Sequence, residues 1–480
     1  MKTGKVYLVG AGPGDAGLIT VRGLDCLEKA DVVLYDRLVN PLLLERVNEE
    51  AECIYCGKLP DRHHLRQEAI QQLLIDKAKE GLRVVRLKGG DPGMFGRAGE
   101  EAEALVDAGI TYEMVPGITA GMAAPLYAGV PVTHRNFSGS FAAVTGHTKA
   151  ENGQPSPNWK ALAEGIDTIA FYMGMRNLET IVEQLTTYGK SPHTPVLTVE
   201  WGTTGRQRTI EGTLSTIKEK ADEANVKNPA MTLVGEVASL HQHLNWFEKK
   251  PLFGQFVWVV KTSSFPGEIA KVLRENGAEV LEAPCYLFNK SSDTLPDEVS
   301  HYHSLYFNAF ESVSYFFDML KERQIDIRFL PKNISGSTQR IVDKLAEYGI
   351  FTEKQNIQNI DNPDYCLCIG SEESLSGITN LSCYCTHTVI KSSKTRKTLD
   401  RLIQDDLINS VVLPSSKAIN TVIEELYNAG VSAVEWLSNK TIICYGPHTK
   451  EAAIAKGLTV HSTLTSPNSI ELVSTLRSDL

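Results

Sequence analysis

Short apolar runs alternate with longer amphipathic stretches along most of the chain, and many of the runs stop at a glycine. Lys5–Ala11 (KVYLVGA), Asp31–Tyr35 (DVVLY), Cys53–Lys58 (CIYCGK), Val84–Leu87 and Tyr112–Val115 (YEMV) read as buried strands. Between them, Leu18–Lys29, Gln67–Lys79 and Ala98–Asp107 carry helical spacing. Strand, turn, helix and strand in that order predict an α/β fold with a parallel sheet. A second set follows at Phe141–Gly146, Thr168–Met173, Pro195–Glu200 and Ala230–Val234, which makes roughly five strands in each half of the first 248 residues. The pattern restarts after a short linker, Trp246–Pro251. Strands are expected at Phe256–Lys261, Glu279–Leu281, Leu305–Phe307, Arg328–Leu330, Cys366–Ile369, Cys383–Ile390, Val411–Leu413 and Thr441–Cys444. Helices are expected at Pro266–Asn276, Glu311–Arg323, Ser337–Tyr348, Ala418–Asn428, Lys450–Lys456 and Ser469–Leu476.

Composition narrows the class. A chain of 480 residues with 42% hydrophobic and 22% charged residues can bury two to four cores. The net charge of −10 supplies no global basic field for nucleic acid, so an anionic ligand needs a local basic patch. No apolar run reaches the roughly 18 residues that span a bilayer. Nine cysteines without a disulfide framework fit a reducing cytoplasm. Cys366-x-Cys368 and Cys383-x-Cys385 lie in apolar runs, where a period of two turns both thiols of a pair to one strand face, so no metal site is expected.

The candidate chemistry sits at the strand ends. Val84–Arg97 (VVRLKGGDPGMFGR) leaves a buried strand through Gly89-Gly90-Asp91-Pro92-Gly93, which combines a sharp turn, close backbone approach and a carboxylate acceptor. Loops of this kind at the carboxyl ends of strands are where open α/β sheets bind ligands. Related turns recur at Gly12-Pro13-Gly14-Asp15, Pro116–Ala120, Gly174 and Trp201-Gly202-Thr203. Gly10, Gly12 and Asp36 raise a dinucleotide fingerprint, but Pro13 removes a donor amide and Asp15 replaces its last small residue. Lys58, Arg62, His63, His64 and Arg66 form a concentrated basic spot.

In order, VGAGPGDAGLIT, VVLYDRLV, VVRLKGGDPGMFGR, VPGITAGMAAPLYAGVPVTHR, VTGH, FYMGM, VEWGTTGRQRT and LNWFE closely resemble the uroporphyrinogen-III C-methyltransferase family over about residues 3–248. The resemblance implies the tetrapyrrole-methyltransferase fold, two α/β lobes with the active site in a cleft, S-adenosylmethionine as methyl donor, and a homodimer. Carried over residue by residue, cofactor contacts fall on Pro13, Gly89, Gly90, Asp91, Met94, Thr119, Ala120, Met173 and Gly202. The general base falls on Asp36 and an acid or charge partner on Lys58. The family's GGDP-F-x-FGRGGEE segment here has Gly93 and Ala98, so an aromatic is lost from the loop while Asp91 is kept. Arg22, Arg37, Lys58, Arg62, Arg66 and Arg135 are the cationic candidates for the carboxylates of uroporphyrinogen III.

Residues 251–480 resemble the uroporphyrinogen-III synthase family through PLFGQFVWVVKT, RENGAEVLEAP, the VLPSS turn and CYGPHTKEAAIAKGLTV. That resemblance implies a bilobed α/β fold, with about 251–285 plus 411–480 in one lobe and 290–405 in the other. It also implies closure of hydroxymethylbilane to uroporphyrinogen III. Ser415, Ser416 and Thr449 are candidate anion contacts, with helix capping as the competing role. The family's threonine-serine turn reads Asn308-Ala309-Phe310 here, which leaves open a second half that binds tetrapyrrole without catalysis. A first half acting on a later corrin intermediate is a further alternative. If both activities are present, the second half makes what the first half methylates, and precorrin-2 is the product.

Overall fold

The computed structural model describes residues 3–57, 66–146, 157–262, 268–291, 299–392, 394–465 and 469–478. The chain forms two compact units, one of residues 1–284 with 393–480 and one of residues 285–392.

In the first unit, β1 (Lys5–Gly10), β2 (Val32–Tyr35), β3 (Glu52–Tyr55), β4 (Arg83–Lys88) and β5 (Thr111–Val115) form a parallel sheet in the order β3-β2-β4-β1-β5. Its central strands are covered on both faces, so Val6, Leu8, Val84, Val85 and Leu87 are fully buried. The strand order reverses between β4 and β1, and the crevice beyond their carboxyl ends is the switch point where such sheets bind ligands. The segment read as one helix over Leu18–Lys29 is a 3₁₀ turn, Ala16–Leu18, and a helix, Val21–Glu28. Thr20 breaks the run: its extended backbone and side chain cap the helix by accepting from the Gly23 amide.

A second sheet comprises β6 (Phe141–Thr145), β7 (Thr168–Tyr172), β8 (Pro195–Glu200), β9 (Arg208–Thr213) and β10 (Ala230–Val234), in the order β6-β7-β10-β8-β9. Here β6 and β7 are parallel and the remaining pairs antiparallel. β9 was not expected from sequence, because an edge strand reading RTIEGT buries too little apolar surface to announce itself.

A third parallel sheet in this unit contains β11 (Phe256–Val260) and β12 (Glu279–Ala283), extended by Ser410–Leu413, Thr441–Tyr445 and Ser462–Leu464. The helix Lys394–Gln404 also belongs to this unit. The lobe boundary expected at residue 405 is therefore displaced: the compact second unit ends at residue 392. The cause is burial, since Leu399 and Leu402 sit fully enclosed in the core formed by Trp258, Val411 and Ile442.

The second unit holds a five-stranded sheet of Tyr286–Lys290, Ser382–Lys391, Cys366–Ser371, Ser304–Phe307 and Asn333–Gly336, in that spatial order. Cys366 and Cys368 are buried together beside Tyr306 as strand residues. The strand expected at Arg328–Leu330 is instead a 3₁₀ turn, Ile327–Phe329, capped by Asp326. Pro331 lacks the amide a ladder needs, and pairing begins at Asn333. Among the described residues, no helix is long and apolar enough to cross a membrane.

Candidate active site

Three glycine loops meet at the switch point. The amide of Gly90 donates to the carbonyl of Gly12 at 2.7 Å, and Gly12 donates back to Gly90 at 3.2 Å. Gly117 fits between them: a β-carbon there would lie 2.4 Å from the Gly90 carbonyl oxygen and 2.8 Å from the Gly10 α-carbon. Asp91 locks the arrangement, since its Oδ2 accepts from the Gly117 amide at 2.9 Å and its Oδ1 from Gly93 at 2.8 Å. Asp91 therefore acts as a brace between loops. Gly90, at φ +72°, has open space where a side chain would project.

The second lobe closes on these loops through specific polar contacts. The Asp15 amide donates to Thr203 Oγ1 at 3.0 Å, and Tyr127 donates to Asp15 Oδ2 at 2.7 Å. The hydroxyl of Tyr172, at the end of β7, lies 2.7 Å from Thr119 Oγ1 and accepts from the Gly121 amide at 2.7 Å. Burial pushes the Tyr172 phenol above its ordinary value.

Between the lobes lies a cavity of about 740 Å³. Pro13, Gly89, Gly90, Ala120, Met173 and Gly202 all line it, as does Arg37. Asp91, Met94 and Thr119 are not among its lining residues: Met94 lies in the turn that follows Asp91, and Thr119 bonds Tyr172. Asp36 follows β2 directly, and its side chain is 33% exposed. It accepts from Arg86, a residue of β4 that is almost fully enclosed. Arg86 also reaches Glu101 at 3.3 Å, and Lys88 meets the same carboxylate at 2.9 Å. Burial, then the charge of Arg86, lowers the Lys88 pKa, while Glu101 opposes that shift.

Other candidates are placed elsewhere. Lys58, Arg62, His63 and His64 lie outside the described residues. Arg22 forms ion pairs with Glu113 and Asp25, Arg66 precedes the helix Gln67–Lys79, and Arg135 is exposed; none of the three lines the cavity. On the third sheet, Ser415 occupies the cap position of helix Ser416–Asn428 without making a capping bond. Its Oγ is buried with no hydrogen-bond partner among the described residues. Ser416 is exposed and Thr449 buried. Sequence reasoning did not find Tyr172, Arg86, Glu101, Arg206 or Arg401. For Arg86 a signal existed: with Lys88 it places two cations on one face of a strand otherwise buried.

The C-terminal segment reaches this site. The Glu279 carboxylate accepts from Asn40 Nδ2 at 3.2 Å and from the Gly205 amide at 2.8 Å, and Asn40 also donates to the Gly14 carbonyl at 2.8 Å. Burial raises the Glu279 pKa, opposed by these donors and by Arg206.

Residues 5–218 match the family model described as Tetrapyrrole (Corrin/Porphyrin) Methylases. A uroporphyrinogen-III C-methyltransferase of Bacillus subtilis is 41% identical over 451 residues, 93% of this chain and 92% of that protein. A protein of Ruminiclostridium josui named porphyrin biosynthesis protein HemD is 39% identical, covering 74% of this chain and 71% of its own length. Among solved structures, the uroporphyrin-III C-methyl transferase of Thermus thermophilus complexed with S-adenosyl homocysteine is 39% identical. The match covers 49% of this chain and all of that one, with a TM-score of 0.43.

Proposed function

The chain belongs to the tetrapyrrole (corrin/porphyrin) methylases, and from that membership we propose that it methylates uroporphyrinogen III at two carbons, giving precorrin-2. The observation that carries the reading is the convergence of Pro13, Gly89, Gly90, Ala120, Met173 and Gly202, from separate loops, on one cavity. These residues fit S-adenosylmethionine. Glycines bring bare backbone to the wall, and the open space at Gly90 is room that a side chain would fill.

When bound, S-adenosylmethionine supplies an electrophilic methyl group, which a pyrrole carbon takes by displacement. The paired loops around Gly12, Gly90 and Gly117 would hold the donor, and the gain would come from alignment and exclusion of water. Asp36 takes the proton released as the methylated ring rearranges. Arg86 fixes the carboxylate of Asp36 from behind, leaving its exposed face for that proton. Arg37, beside it on the cavity wall, binds a substrate carboxylate. The family resemblance assigns Lys58 the role of acid or charge partner, and the protein acts as a homodimer.

For the C-terminal half we propose closure of hydroxymethylbilane to uroporphyrinogen III, with Ser415, Ser416 and Thr449 holding substrate carboxylates. The similarity to the HemD-named relative supports this reading. So does the buried Ser415 hydroxyl at the carboxyl end of its strand, which lacks a partner among the described residues.

Anaerobic incubation of the full chain with fresh hydroxymethylbilane and labelled S-adenosylmethionine tests both activities. Doubly methylated type III product is the expected result. Methylation only when preformed uroporphyrinogen III is supplied would remove the synthase reading, and no methylation in either case would remove the central one.

A further inference from the structure

The cavity is not walled by the methylase portion alone. The helix Lys394–Gln404, far outside the family match at 5–218, packs along the 3₁₀ segment Pro41–Arg46. Two of its residues serve docking: Lys397 Nζ donates to the Ala51 carbonyl at 3.2 Å and Thr398 Oγ1 to the Pro41 carbonyl at 3.3 Å. One turn later, Arg401 reaches the cavity wall. Its guanidinium lies 4.4 Å from the centre of the Tyr55 ring and donates to the Arg37 carbonyl at 3.4 Å.

Arg401 faces two further cations across the cavity. Arg206 and Arg37 flank the ring of Trp201, with guanidinium carbons 3.5 Å and 5.7 Å from its centre. All three arginines line the same space. Loss of hydration pulls the Arg206 pKa down, and the charges of Arg37 and Arg401 push it further the same way. Glu279 and Asp405 oppose them. Among the described residues neither Arg37 nor Arg206 forms an ion pair. Arg401 is 8% exposed and binds Asp405 through Nε at 2.6 Å, which makes it the one ion-paired member of the three among the described residues. Arg176 also lines the cavity, and in a chain of net charge −10 the cluster of Arg37, Arg206 and Arg401, with only one of the three paired among the described residues, forms a local site for anions.

We propose that Arg401, supplied by the C-terminal half, completes with Arg37 and Arg206 a binding site for the carboxylates of the tetrapyrrole in the methylation cavity. The inference rests on the proposed methyltransferase function. Cation–π contacts with Tyr55 and Trp201 hold the three guanidiniums in place, and positioned guanidiniums are what two-point carboxylate binding requires. The C-terminal half is then a structural part of the methylase site, whether or not it catalyses a reaction itself.

The test is steady-state methylation of uroporphyrinogen III by the full chain and by R401Q, R401K and T398V. R401Q is expected to raise KM for uroporphyrinogen III by about tenfold or more, with kcat within about twofold and S-adenosylhomocysteine affinity unchanged. R401K, which keeps the charge but loses the two-point edge, should fall between. T398V removes one docking bond of the same helix without reaching the cavity and should change KM by clearly less than R401Q. An unchanged KM in R401Q overturns the inference while the wild type still turns over, and so does an equal rise in T398V, which would assign the effect to docking. Should R401Q not fold, R401K carries the test, and a wild-type KM there overturns the proposal. A wild type that does not methylate at all identifies failure of the proposed function instead.

Discussion

Asp36 stands at the carboxyl end of its strand with its carboxylate held by Arg86, a side chain 3% exposed that also reaches Glu101 beneath the sheet. The reactive candidate is thus anchored to a buried charge network. Asp36 is the partly exposed end of that network, next in sequence to Arg37 of the cavity wall. The exposed end offers chemistry, and the buried end offers position.

Asp36→Ala is therefore expected to lower methyl transfer by about 10²-fold or more while S-adenosylhomocysteine binding is kept. Single-turnover methylation together with calorimetric binding separates the two effects. Retained turnover would remove Asp36 from the mechanism.

Glu101→Gln should act on stability. It leaves Arg86 and Lys88 enclosed with half their compensation gone, and breaking a buried ion pair from one side costs about 3–5 kcal/mol. Urea unfolding measures this loss. A change below about 1 kcal/mol would mean that the two cations find other partners.

Gly90→Ala and Gly109→Ala form a matched pair. Both glycines have left-handed backbone, at φ +72° and +69°, and neither would meet an atom within 4 Å of an added β-carbon. Each substitution carries about 1–2 kcal/mol of strain. Only Gly90 lines the cavity, so only Gly90→Ala is expected to weaken S-adenosylhomocysteine binding. Equal affinities in the two variants would place the cofactor elsewhere.

Glu45 gives a pH signature. Burial pushes its carboxyl up from 4.5 to about 7, with Arg274 and Lys261 opposing the shift and Glu282 adding to it. A carboxyl raised in the folded state keeps a proton that the unfolded chain releases. Its favourable contribution is complete below pH 4.5 and is lost as pH rises through about 7. The urea midpoint should fall from pH 5 to pH 8 more steeply in the wild type than in Glu45→Gln, and parallel profiles would contradict the assignment.

Much of the first half could be read from local pattern. Buried parallel strands make continuous apolar runs, and ligand loops at their ends must be glycine-rich for backbones to meet. Both features are written in neighbouring residues, whereas Pro13, Gly89, Gly90, Ala120, Met173 and Gly202 were named as cofactor contacts through the family resemblance; they lie together on one cavity. The role of Asp91 was only half legible. An acceptor was expected, but which amides it serves depends on the Pro116–Ala120 loop folding across it.

What the sequence alone determined is the α/β alternation, the turn chemistry and the loops that form the cavity, because each depends on spacing within about ten residues. What only the tertiary structure decided is which distant charges meet. Arg401 and Arg37 are separated by 364 residues, and Glu279 reaches Asn40 and Gly205 from another sheet. No local signal distinguishes a helix arginine that will be buried against a remote tyrosine from one that will face water. Burial there is a property of the packed surfaces, and those exist only after the sheets have assembled.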